Sequence, residues 1–310
     1  MMMLASQPQA IAARGTVNDY ALLLLMSCFS GATFGLIKIA VETIPPLTLV
    51  AWRTAMACAI LLVFMAYQHI SLPRTRQAWA ALAIQACFNS VIPYTLIAWA
   101  QQTIDTSVVT ILSSTTPVFT FLIGVFITRH EVSSAKRMAG VVLGLLGVVL
   151  IVGQNSHGAW LNGLPQQIAV VGAAICFAFS ATLGWRFRHL DPTAPAAGSL
   201  LCGAVVLIPL SFILDDGWQV SPSSRSLLGL VALVIFPTTI GFVLYFKLLK
   251  SLGSVVTTAQ SYLRVPIGVA IGFFCFGEDL TAIQFTGLAL VLTGVAAMAA
   301  QHRVVDGDRS

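Results

Sequence analysis

Ten apolar runs dominate this chain: about 20–41, 47–67, 77–99, 106–128, 136–153, 166–185, 193–214, 225–246, 253–276 and 282–301. Each approaches the roughly 20 residues of helix that cross a hydrocarbon core. The apolar character runs all round each segment. Helices in lipid are therefore predicted, because there every backbone N–H and C=O must be paired within the segment. Charged residues fill only 9 % of the 310 positions, and the mean hydropathy is +0.90. A water-facing surface usually needs about 25 %. The expectation is an all-α membrane protein of ten transmembrane helices, with connections too short for a soluble domain.

The formal net charge is +5. Its basic residues sit in short loops and form no stripe or tail, so no nucleic-acid partner is expected. Their placement gives a sidedness instead. With the N-terminus cytoplasmic, that side holds Arg14, Arg74, Arg76, Arg129, Lys136, Arg137, Arg186, Arg188, Lys247, Lys250, Arg303 and Arg309. The opposite loops hold Arg225. This bias places both termini in the cytoplasm. The first apolar run is long enough to remain as an anchor, so no cleavable signal peptide is expected. The six cysteines have no metal-ligand spacing and read as small buried hydrophobes.

The chain repeats itself. The sequence of Ser107–Thr110 recurs at Ser254–Thr257, 147 residues on. At the same offset Ser114 meets Ser261, Glu131 meets Glu278, Gly140 meets Gly287 and Gly147 meets Gly294. Phe29–Gly35 echoes Phe179–Gly184 more weakly. Two halves follow, 1–153 and 160–310, with five spans each. Five is odd, so the second half enters the membrane inverted. Inverted repeats around a central cavity are the architecture of many secondary transporters.

These features resemble the EamA branch of the drug/metabolite transporter superfamily. The resemblance rests on Gly277–Val295, on Glu131 with Gly140 and Gly147, on Pro117 ahead of Glu131, and on Lys38, Pro45, Pro46 and Arg53. It spans nearly the whole chain, and it implies ten helices and export of small metabolites. Within the branch the pattern is similar to bacterial amino-acid exporters. In one place the chain departs from it. Where the repeat leads one to expect a proline, the second half carries Arg264, and its proline stands at Pro266.

Arg264 is therefore the first candidate. A charge at mid-membrane costs about 2.5–3.5 kcal/mol on insertion scales, so it must face a wet cavity or a partner. Gln260 and Ser261 share its face. The guanidinium can hold a substrate carboxylate through two parallel hydrogen bonds, or it can be satisfied by freed backbone carbonyls. Ser113, Ser114 and Pro117 form a second polar stretch, read as a cavity wall or as hydroxyls closing a proline gap. Gln85, Asn89 and Pro93 are spaced by four, with Tyr94 and Trp99 beyond them. Thr238 and Tyr245 are their counterparts. These read as pore lining or as inter-helix glue. Phe34 shares a face with Ser30 and Lys38. Pro266 and Gly268 are candidate gating positions. Lys38, Glu42 and Arg53 are candidates for ion coupling, although the two basic side chains are also placed to snorkel outward or to pair with Glu42. Glu131 and Glu278 each precede a helix and read as caps of that helix.

No Asp, Glu or His falls in the middle of a span, so no buried proton relay is apparent. No nucleotide-binding loop or zinc motif occurs. Neither cofactor nor metal is expected, and no enzyme activity. The reading is a bacterial inner-membrane carrier, working by alternating access and exporting small amphiphilic metabolites, best suited to amino acids with apolar or aromatic side chains. Alternatives are an exporter of drugs or sugar derivatives and, from another class, a membrane-embedded enzyme or non-transporting scaffold. The expected partners are a small-molecule substrate and the lipid bilayer, with the chain a monomer or weak homo-oligomer.

Overall fold

The structure is a computed structural model that describes residues 17–127, 135–153, 163–217, 220–279 and 281–300. Among these residues all regular structure is helical, and no strand occurs. Glu131 and the segment joining the two halves lie outside the described residues. Among the described residues, seven helical stretches are long and apolar enough to cross a membrane. Three further apolar helices are shorter: Met138–Ile151, Leu263–Phe276 and Ala282–Gly294. Large apolar side chains such as Val63, Ile213, Leu228 and Phe274 stand exposed on the outside. That is the surface a chain presents to lipid rather than to water. Two of the cysteines, Cys28 and Cys275, also stand exposed there rather than buried.

Prolines decide where the helices depart from regularity. Helix α1 (Val17–Ala40) is followed by α2 (Pro46–Tyr67), with Pro46 at its first position, where no N–H is needed. Helix α3 (Arg76–Ala86) passes through a π-turn (Cys87–Val91) into α4 (Ile92–Ala100). Pro93 lacks the N–H that would bond the carbonyl four residues back, and the wider turn takes up the fault.

The next span breaks altogether, into α5 (Thr106–Ser113) and α6 (Thr116–Phe126). Pro117 strips the donor from the Ser113 carbonyl. Helices α7 (Ala135–Gly153), α8 (Leu164–Gly184) and α9 (Thr193–Leu214) follow. Helix α10 (Ser224–Leu233) then enters a second π-turn (Val234–Ile240) containing Pro237. There the Thr238 hydroxyl donates to Leu233 O at 2.6 Å, filling the place of the missing proline N–H. Helix α11 (Gly241–Phe276) bends at Gly253, whose φ of 78° lies in the region that glycine adopts without strain. It then runs on through Pro266 to α12 (Ala282–Ala300).

The packing pairs distant parts of the sequence. Helix α2 lies against α9, α1 against α11, α8 against α4 to α6, and α7 against α12. The α7–α12 contact is built on glycine. A Cβ on Gly147 would lie 2.6 Å from Gly287 O, and one on Gly294 would strike Gly140 O. The backbones can approach this closely only where those side chains are absent.

Candidate functional site

Arg264 on α11 is 6 % exposed, and its guanidinium reaches across to the broken span. Nη2 donates to Ser113 O at 2.6 Å. That carbonyl is the one Pro117 leaves without a helical donor, and the Thr116 hydroxyl also donates to it at 2.7 Å. Nη1 lies 3.5 Å from Ser30 Oγ, and Cζ sits 5.3 Å from the centre of the Phe34 ring. Nε has no hydrogen-bond partner. Part of the fork is thus anchored and part is unspent.

The guanidinium borders a cavity of about 80 Å³. Its walls come from α1 (Met26, Phe29, Ser30, Thr33), the third span (Asn89, Tyr94), α6 (Thr116) and α8 (Phe177). The second π-turn adds Pro237, and α11 adds Gly241, Phe242, Tyr245, Thr257, Thr258, Gln260, Ser261 and Arg264. Aromatic rings, hydroxyls, amides and one cation thus face a common space.

Of the residues singled out in the sequence, Arg264, Gln260, Ser261, Asn89, Tyr94 and Tyr245 line this cavity. Gln85 stands one layer behind it. Its Nε2 donates to Ser180 Oγ at 3.0 Å, and Ser180 Oγ lies 3.5 Å from the Tyr245 hydroxyl. The π-turn explains the difference from Asn89, since residues four apart share a face in an α-helix but not across a π-turn. Phe34 lies beneath the guanidinium, and Ser113 meets it through its carbonyl. The hydroxyls of Ser114 and Thr238 return to their own helices. Pro117 is buried in the broken span, and Trp99 is 40 % exposed, away from the cavity.

Pro266 faces outward, whereas Gly268 packs so closely on Thr110 that a Cβ would lie 2.5 Å from Oγ1. The residues missed are chiefly Thr257, Thr258, Phe177 and Phe242. Extending the polar face of Gln260 and Ser261 one turn backward would have found the two threonines.

The charged residues around the α1–α2 connection make other contacts than the sequence suggests. Lys38 Nζ donates to Ile104 O at 3.0 Å, and Glu42 pairs with Arg225 at 3.6 Å. Arg53 does not snorkel: it is 0 % exposed and lies with Cζ 3.6 Å from the centre of the Tyr94 ring.

Glu278 does cap a helix, but not the one that follows it in sequence. Its carboxylate accepts from Thr106 N and Ser107 N, both at 2.8 Å, and from Ser107 Oγ at 2.7 Å. The N-terminus of α5, in the other half, is thereby capped. Asp105 holds the cap position itself but makes no cap bond. Burial raises its pKa above the usual value, the nearby Glu278 charge raises it further, and Lys38 opposes both. The folded state therefore holds the Asp105 proton more tightly than the unfolded chain does. Stability from this group is present in acid and is lost as pH rises through the raised value. Asp105→Asn is expected to raise the thermal unfolding midpoint at neutral pH, with the gain vanishing in acid. A pH-independent gain would contradict this account. Among the described residues no three of His, Cys, Asp and Glu converge as a metal site.

Comparison with known proteins agrees with this construction. An inner membrane transporter of Escherichia coli K12, YedA, itself of uncharacterized function, is 26 % identical over 267 residues, 86 % of this chain and 85 % of that protein. A probable amino-acid metabolite efflux pump of the same strain is 26 % identical over 298 residues, 90 % and 93 % of the two chains. The transporter YyaM of Bacillus subtilis 168 is 24 % identical over 287 residues, 90 % and 92 % of the two chains. One crystal structure superposes with a TM-score of 0.65 at 20 % identity, covering 94 % of this chain and 98 % of that one, which establishes a shared fold. The sequence profile of the EamA-like transporter family matches residues 19–153 and again residues 165–300. With both halves matched, the chain belongs to the EamA-like transporter family.

Proposed function

We propose that this transporter is an inner-membrane secondary carrier that exports small amphiphilic metabolites, foremost amino acids with apolar or aromatic side chains. The observation that carries the reading is Arg264. Its guanidinium lies at a buried cavity edge with an unspent donor, across from aromatic walls. A carboxylate suits the cation, amides and hydroxyls suit an ammonium group, and Phe29, Tyr94, Phe177 and Phe242 suit an apolar side chain.

Further support comes from architecture. Seven long and three shorter apolar helices fit ten crossings in two inverted halves, 1–153 and 160–310. Packing between the halves supports this: α1 meets α11, and α8 meets α5 and α6. The positive charge on one side of the membrane favours cytoplasmic termini. One relative is named for the inner membrane and another for amino-acid metabolite efflux. Ordinary ligand pockets hold about 300–1,000 Å³. A cavity of about 80 Å³ therefore has to widen to load such a cargo, which accords with alternating access.

Sealed liposomes containing the purified chain test the proposal. Saturable flux of labelled amino acids is expected, with apolar and aromatic ones competing. Flux of sugar derivatives or cationic drugs, with no flux or competition by free amino acids, would replace it with a broader exporter. The absence of any flux from correctly folded protein would count against a carrier altogether.

A further inference from the structure

Arg53 presents a separate problem. It lies on α2, is 0 % exposed, and none of Nε, Nη1 and Nη2 has a hydrogen-bond acceptor. A guanidinium keeps its charge and offers five N–H donors. Burial without an acceptor is strongly unfavourable. The Tyr94 ring, 3.6 Å from Cζ, offsets part of that through its π face.

Two hydroxyls in the neighbourhood are unpartnered as well. Thr54 Oγ1 is buried and unpartnered, and so is Ser90 Oγ, one turn before Tyr94. Both approach Gly203 of α9: a Cβ there would lie 3.3 Å from Thr54 Cγ2 and 4.0 Å from Ser90 Oγ. The two hydroxyl-bearing residues thus meet at Gly203 where α2, α9 and the first π-turn converge, and the cation lies on the same α2, one residue before Thr54. Two carboxylates near the ends of these helices are engaged elsewhere. Asp215 accepts from Thr48 N at 2.8 Å, and Glu42 pairs with Arg225. A cluster of donors with no internal counter-charge has the chemistry of an anion site.

We propose that Arg53, Thr54 and Ser90 form a second anion-binding site behind the cavity wall, taking a compact monoanion, either a halide or a carboxylate. Tyr94 is its cover. The same residue lines the cavity and stacks on the guanidinium, so a rotation of its ring joins the site to the cavity. The site is distinct from Arg264, whose Nη2 is held by Ser113 O. It stands whatever the cargo proves to be.

The test uses the purified full chain in detergent, in an Arg264→Met background that removes the guanidinium at the cavity. Thermal unfolding is followed against sodium chloride and sodium acetate, with sodium sulfate at matched ionic strength as reference. A saturable rise in the midpoint is expected with chloride or acetate and is abolished by adding Arg53→Met. A response to chloride alone identifies a halide site, and a response to acetate alone identifies a carboxylate site. No response to either anion, or a response that survives Arg53→Met, overturns the site. If the variants fail to fold, wild-type crystals soaked in bromide or in acetate decide the matter. Anomalous density or a carboxylate beside the Arg53 guanidinium is expected, and the absence of both rejects the proposal.

Discussion

Arg264→Gln is expected to lower the affinity for a carboxylate-bearing amino acid by about ten- to a hundredfold. The size follows from losing a charge-assisted hydrogen bond, about 1.5–3 kcal/mol, at about 1.4 kcal/mol per decade. The fold should survive. The one strong bond the guanidinium makes is to Ser113 O, and the Thr116 hydroxyl remains on that carbonyl. Arg264→Lys keeps the charge but not the planar fork, so an intermediate loss is expected. Competition by neutral amines of similar shape should change little. Equal loss for amines and amino acids, in protein that unfolds like wild type, would make Arg264 a structural residue and remove the carboxylate from the proposed function.

Glu278→Ala carries the largest expected effect on stability. It leaves two backbone N–H groups and one hydroxyl unpaired at the start of α5, where Asp105 makes no substitute bond. Lost caps cost about 0.5–2 kcal/mol, and hydrogen bonds to a charged group contribute about 1.5–3 kcal/mol. A loss of about 2–3 kcal/mol is therefore expected. Glu278→Gln keeps an acceptor and loses the attraction between charge and helix terminus, so about 1 kcal/mol is expected there. Unfolding of the two variants in detergent checks the order. A Glu278→Ala protein as stable as wild type would refute the cap.

The all-helical membrane class and the family were legible because lipid leaves a coarse signature: length and the absence of charge. The stripe of Gln260, Ser261 and Arg264 was legible because polar residues at helical spacing have nowhere to go but a shared interior. Arg53 was not. Its place seven residues into α2 looks like the end of a span, where a long side chain can reach water. The close packing of α2 on α9, with Tyr94 stacked on the guanidinium, closes that route. The target of Glu278 was hidden for a similar reason. Sequence proximity points to α12, whereas the α11 chain brings the carboxylate to α5, and Gly272 makes room for it. The separation of Gln85 from Asn89 depends on one extra residue in a turn, which no count of fours reveals.

That extra residue has a rotational consequence. Each residue of an α-helix advances the chain by about 100°. The turns at Cys87–Val91 and Val234–Ile240 therefore set the azimuth of everything beyond them, Tyr94 and Tyr245 included. Removing one residue from either turn would swing its tyrosine more than a quarter revolution off the chamber. The facing of the two aromatic walls is thus fixed by a local winding error in each helix rather than by the composition of those walls.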